Sequence, residues 1–381
     1  MTPRGMNQRE ADVAQAFTRA LEKVAELAPD VVLIAGDVFH QVRPPNAAIL
    51  HAHLQFARLR AALPNAEIIM VAGNHDNPRS SDTLGILRLF TPLGFHVVDA
   101  EAQSLDFPQL DLTVLGVAMN QHPVPRLVPP GTRRWNVLVL HGAVEGMLGP
   151  YSASDELWTD ETSQEDIHAD EWDYVALGHY HVFRQLAPNQ FYSGAIEYTS
   201  NNTWSEKNEE AATGVPGKGI VEYDLERRER TFHKVELARE FVDLPVISAR
   251  GLTDAEVNAK IQDVVDAWPG GIDDKVVRLV VRDLPRHVLR QLDHRMLRDL
   301  RRRALHFHLD ARRPDIISRS AGHGGPGRRP SLADFVRDKL RERVLPPDVD
   351  RDALVDLGLR YLKDAEDREG ASAAVPGSGE L

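Results

Sequence analysis

Val31-Val32-Leu33-Ile34-Ala35-Gly36-Asp37-Val38-Phe39-His40 is an apolar run that ends on a glycine, an acid and, three residues later, a histidine. Five apolar residues closed by a turn signal read as a strand buried on both faces, the kind found in parallel sheets. Upstream, Val13, Phe17, Leu21, Val24 and Leu27 recur at helical spacing and predict a helix over 10–28. Downstream the alternation continues. A helix is predicted over 46–62, a strand over 68–72 and a helix over 81–90. Further strands are expected near 96–99, 112–117, 136–140 and 173–178, with hairpin-like strands near 218–224 and 231–236. Apolar strands separated by amphipathic helices imply an α/β core with helices on both faces.

The same pattern of strand, glycine and polar residue recurs. Gly36-Asp37-Val38-Phe39-His40, Gly73-Asn74-His75-Asp76, Leu140-His141-Gly142 and Gly178-His179-Tyr180-His181 each follow an apolar strand. Loops at the carboxyl ends of such strands converge on one crevice. Singly, each motif has a plain reading: a turn, a polar loop, a structural histidine or a chance pair. Together and in order they point to metal binding. Asp, Asn and His offer oxygen and imidazole donors without thiolate, which suits Mn, Fe or Zn better than Mg or Ca. A carboxylate can bridge two metals, and paired metals about 3.5–4 Å apart clamp both oxygens of a phosphoryl displacement.

Composition sets the limits. The chain has 381 residues, 42% hydrophobic and 27% charged, the balance of a globular protein. It has no cysteine, so neither disulfides nor thiolate ligands arise. That fits a reducing cytoplasm, the location expected here. Its first residues lack an apolar leader core and no apolar run reaches membrane-spanning length, so no membrane association is expected. Net charge is −12, yet residues 275–329 hold 15 Lys and Arg against 5 Asp and Glu. A basic segment in an acidic chain suits local nucleic-acid contact, and suits a solvated arginine-rich helix face equally.

The four motifs resemble those of the calcineurin-like metallophosphoesterases, and within them the SbcD nuclease subunits of SbcCD-type DNA repair exonucleases, over roughly residues 6–315. The resemblance implies a metallophosphoesterase sandwich-like core and two divalent metal ions, with Mn2+ the expected species. Asp37 would bridge the metals, Asn74, His141 and His179 would complete one, and His181 would bind the other. His75 would face the scissile phosphate and protonate or stabilise the leaving oxygen, and His40 would orient the phosphate. Phe39-His40 and Asp76 depart from the Ser/Thr phosphatase pattern and disfavour that branch. The implied function is metal-dependent hydrolysis of phosphodiester bonds at DNA ends in double-strand-break repair, with DNA and an SbcC-like SMC-family ATPase as partners. The alternatives are a small-nucleotide phosphodiesterase or a catalytically impaired scaffold.

One departure bears on these alternatives. The family opens with a strand followed by Asp-x-His, and no such motif precedes Asp37. We expect a late start: roughly 10–20 further residues ahead of Met1 would carry that strand of about 5–6 residues and its loop. The expected consequence is an open position beside the strand at 31–36.

The domain order follows. Residues 1–240 are read as the nuclease domain lacking its first strand. Residues 241–316 form a small α+β capping domain with a Thr253–Glu256 capping box, one helix from Pro285 through Leu300, and a DNA-contacting set of Arg295, Arg298, Arg301, Arg302, Arg303, Arg312 and Arg313. Residues 317–330 are a Gly/Arg-rich linker, 331–365 two short helices that dock the ATPase, and 366–381 a disordered tail. Ser331 should cap the first of these helices, and Phe335, Leu340, Leu354 and Tyr361 should form the docking face. A homodimer through 46–62 and 81–90 is the remaining partner expectation.

Overall fold

Residue patterning builds the first layer directly. Asn7 accepts from Arg9 N–H and opens α1 (Gln8–Leu27), whose Phe17, Leu21 and Val24 face inward beside α2 (Asn46–Ala62). Both helices pack on a parallel sheet of β1 (Val31–Ala35), β2 (Glu67–Val71) and β3 (His96–Val98), in that order. β1 is an edge strand, paired among the described residues with β2 alone. Val31, Leu33, Ile34 and Ala35 on it are only half-buried, against four fully buried positions in β2. In this computed structural model the described residues are 7–76, 85–119, 127–145, 161–200, 202–215, 217–314, 332–342 and 350–372.

A second sheet lies against the first. It comprises β4 (Gln103–Phe107), β5 (Leu112–Val117), β6 (Trp135–His141), β7 (Tyr174–Gly178), β8 (Arg184–Ala187) and β9 (Gln190–Tyr192), in the order β4-β5-β6-β7-β9-β8. Its centre is parallel and its two outer pairings are antiparallel. Strand alternation divides the sheet between two cores. Val137 and Val139 join Ile69, Val71 and Phe56 between the sheets. Leu138 and Leu140 join Trp172, Tyr192 and Ile167 of the one-turn α3 (Gln164–Ile167) on the other face. The result is a mixed α/β sandwich. Next come α4 (Thr203–Thr213) and the hairpin β10 (Gly219–Asp224) and β11 (Glu229–Lys234).

A third, all-parallel sheet, ordered β12 (Phe241–Ser248), β13 (Val276–Arg282) and β14 (His306–Ala311), carries a separate core. Helices α5 (Asp254–Asp266), α6 (Arg286–Gln291) and α7 (His294–Arg303) contribute to it. The Thr253–Glu256 capping box forms. The chain divides into two compact units, 1–314 and 315–381. In the second, Asp350 caps α9 (Arg351–Ser372), which pairs with α8 (Leu332–Glu342); Gly358 leaves room for Leu340.

Several elements differ from the sequence reading. Residues 86–93 form a 3-10 helix with Pro92 inside it, where an α-helix was expected over 81–90; residues 81–84 lie outside the described ones. Proline at that position removes the N–H a longer α-helix would use. The single helix from Pro285 breaks at Leu292, because the Asp293 carboxylate accepts from Arg295 and Met296 N–H and starts a new helix. The last helix is 22 residues long rather than short, and it carries 366–372 of the expected tail. Ser331 and 373–381 lie outside the described residues. No helix among the described residues is long and apolar enough to cross a membrane.

Candidate metal centre

Parallel pairing places the four motifs together. Asp37 and Asn74 follow β1 and β2, His141 ends β6 and His179 follows β7; each pair of neighbours runs in one direction. β1 also packs across the sandwich onto β6 and β7. The approach is close enough that two glycines are obligatory. A Cβ on Gly178 would collide with the Ala35 carbonyl, and one on Gly36, at φ +91°, would collide with the His141 ring. Asp37 (φ 54°) and His179 (φ 105°) are held in conformations that L side chains rarely adopt. Such strain collects where neighbouring structure over-determines a functional side chain.

His141 sets the polarity of the site. Its Nδ1 lies 2.7 Å from the Ala35 carbonyl, an acceptor only, so Nδ1 carries the proton and donates. Nε2 then faces Asn74 Oδ1 at 3.1 Å and Asp37 Oδ2 at 3.3 Å. An imidazole lone pair and two oxygens converging on one point is a donor set for a cation. The backbone bond fixes tautomer and ring orientation, as outer contacts of metal-ligating histidines do. Asp37, His141 and His179 each place a ligand atom within 4.8 Å of the others.

Electrostatics agree. Burial, the largest single influence, works against the Asp37 carboxylate. The charge and hydrogen bond of His141 and the His75 N–H outweigh it and bring the pKa down to about 2. Burial likewise opposes a charged His141, yet Asp37 and the Ala35 carbonyl raise its pKa. Burial lowers His179 to about 4 and, helped by the Lys218 charge, His181 to about 4. Both are neutral near pH 7, the form that ligates. The residues therefore fit a divalent metal.

The other expected residues fall around this point. His75 N–H donates to Asp37 Oδ1 at 3.0 Å, and its ring stacks on that of His40 with centroids 5.4 Å apart. His181 stands outside the three-residue cluster; its Nδ1 is buried with no hydrogen-bond partner among the described residues. All seven arginines of the expected DNA set are exposed. Arg302, Arg303 and Arg312 pair with Asp299, Asp273 and Asp310. Arg295, Arg298, Arg301 and Arg313 form no ion pair among the described residues.

Two supporting residues escaped the sequence reading. Buried Asp76 accepts from Val38, Phe39 and Gly73 N–H at 3.2, 3.0 and 3.1 Å and so ties the second motif to the first. Its position within Gly-Asn-His-Asp was a usable signal. Tyr192 OH donates to the Gly142 carbonyl at 2.7 Å and accepts from Val144 N–H at 3.1 Å, bracing the loop after His141. Nothing in the sequence marks it.

The profile of the calcineurin-like phosphoesterase family matches residues 10–183. The DNA double-strand break repair protein Mre11 of Methanocaldococcus jannaschii is 24% identical over 302 residues, 71% of this chain and 76% of its own length. The protein of the same description from Thermoplasma acidophilum is 26% identical over 246 residues, 61% of each chain. That from Methanopyrus kandleri is 26% identical over 195 residues, covering 46% of this chain and 41% of its own.

Proposed function

Residues 10–183 belong to the calcineurin-like phosphoesterase family and the chain is a distant homologue of archaeal Mre11, and on that premise we propose a Mn2+-dependent nuclease that hydrolyses phosphodiester bonds at DNA ends in double-strand-break repair. The observation that carries this reading is the convergence of His141 Nε2, Asn74 Oδ1 and Asp37 Oδ2 at aligned strand ends, with His179 beside them. Asp37, Asn74, His141 and His179 would hold one metal, and His181 would serve a second that shares Asp37. Bound metals supply a hydroxide at neutral pH and neutralise charge on the phosphoryl oxygens.

The protein's own groups do the rest. The His75 ring, fixed by its backbone bond to Asp37 and by stacking on His40, delivers a proton to the departing oxygen. His40, exposed beside it, orients the phosphate. The exposed arginines of α7 hold the duplex through its phosphates. The 331–365 segment docks an SbcC-like ATPase; Leu357 and Tyr361, 42% and 67% exposed, support this. Leu50, Leu54 and Leu89, exposed on 46–62 and 86–93, support a homodimer through those helices.

The test is cleavage of linear duplex DNA with Mn2+ by the wild type and His75→Ala. The expected result is activity in the wild type that falls about 10²–10⁴-fold in the variant, with bound Mn2+ unchanged. Loss of metal along with activity would remove His75 from the proton-donor role. A wild type that binds Mn2+ but leaves DNA intact would refute the nuclease reading.

A further inference from the structure

Lys218 is 1% exposed, and its ammonium is enclosed by three acceptors. It contacts the Glu206 carboxylate, lies 2.7 Å from Glu210 Oε1, and donates to the His181 carbonyl at 2.9 Å. The Tyr198 ring covers it at 4.5 Å. Its hydrogen bonds to Glu206 and to the His181 carbonyl tie α4 to the backbone of His181, and Glu210 adds an ion pair whose Oε1 takes no hydrogen bond among the described residues. The carboxylates are themselves anchored: Glu206 Oε2 accepts from Ser200 Oγ at 2.6 Å and Glu210 Oε2 from Tyr198 OH at 2.6 Å. The His181 carbonyl also takes Ala195 N–H at 3.0 Å, so the turn beneath that imidazole is gripped from both sides.

Packing alone does not call for this arrangement. Replacing a buried ion pair with apolar groups of similar volume is often neutral or stabilising, because charges lose solvation on burial. What an apolar side chain cannot supply is the directed bond to one particular carbonyl. We propose that Lys218, held by Glu206 and Glu210, is the positioning residue for the His181 arm of the metal centre. It fixes where the imidazole stands when it meets a metal. The inference rests on reading His181 as a ligand.

The experiment is Mn2+ titration by calorimetry of the full chain in four forms: wild type, His181→Ala, Lys218→Met and Lys218→Met/Glu206→Gln. The double variant removes one cation with one anion, so the cluster keeps its net charge where Lys218→Met alone leaves two buried carboxylates without their cation. Thermal unfolding is recorded beside each titration. In the double variant, Mn2+ affinity should weaken about 10–100-fold, the usual effect of losing an outer contact of a metal ligand. His181→Ala should weaken it at least as much. Weakening in His181→Ala with wild-type affinity in the folded double variant would overturn the positioning role alone. Wild-type affinity in His181→Ala would overturn both this role and the reading of His181 as a ligand.

Discussion

Gly36→Ala is the sharpest perturbation of the strand-end geometry. The residue sits at φ +91°, and an added Cβ would collide with the His141 ring. An L residue held in a backbone region reserved for glycine is strained by about 1–3 kcal/mol. Displacing the ring also sacrifices its 2.7 Å bond to the Ala35 carbonyl, worth about 0.5–1.5 kcal/mol. Together these come to roughly 1.5–4.5 kcal/mol, a fall in melting temperature of roughly 2–7 °C at this chain length. Gly251→Ala is the matched control: φ there is +74°, but nothing lies within 4 Å of the added methyl. It should lose only about 1–2 kcal/mol. Differential scanning calorimetry of the metal-free proteins separates the two. Mn2+ titration adds a second contrast, since only Gly36→Ala moves His141 Nε2 away from Asn74 and Asp37. Gly36→Ala matching Gly251→Ala in both melting temperature and Mn2+ affinity would refute the claim that the ring is wedged against β1.

Three further outcomes follow. Changing Arg295, Arg298 and Arg301 to alanine should reduce the salt dependence of duplex binding by about 1 per arginine in the log–log slope; the same change at Arg302, Arg303 and Arg312, already paired with carboxylates, should reduce it less. An unchanged slope after the first change would remove α7 from the DNA surface. In the metal-free protein, burial holds His179 and His181 at about 4, below the ordinary 6.5, so the unfolded chain binds more protons between those values. Their contribution to stability is complete above about pH 6.5 and is lost as pH falls towards 4. The urea midpoint should therefore fall less between pH 7 and 4 in His181→Gln than in the wild type, a difference that cancels the opposite contribution of Asp76, raised to about 6 by burial; equal falls would contradict this. Deleting 331–381 should abolish co-purification with an SbcC-like ATPase and spare Mn2+-dependent cleavage, and undiminished association would count against the docking role.

Legibility in the sequence followed the range of the interactions. The apolar runs at 31–35 and 112–117 formed strands where the sequence pattern put them; the second is buried on both faces, while the first keeps its uninterrupted apolar run although it is a half-buried edge strand. Asp37, His141 and His179 were recognisable because each stands at or just past the end of an apolar strand. The capping box at Thr253 is a four-residue signal and was equally plain. What escaped depends on partners distant along the chain. Tyr192 supports Gly142 from 50 residues away, and Lys218 reaches His181 from 37. Short strands such as Gln190–Tyr192 carry too few residues for a period to show. The helix break at Asp293 was misread because Leu289, Leu292, Met296 and Leu300 keep helical spacing across it, while the cap that restarts the helix is a single carboxylate.

The central claim is that Asp37 organises a metal centre shared by all four strand-end motifs. Metal analysis of the purified protein after Mn2+ loading, beside Asp37→Ala, tests it most directly. The account predicts tightly bound Mn2+ in the wild type and its loss from a still-folded Asp37→Ala. Asp37→Ala that retains the wild-type complement of Mn2+ would contradict it.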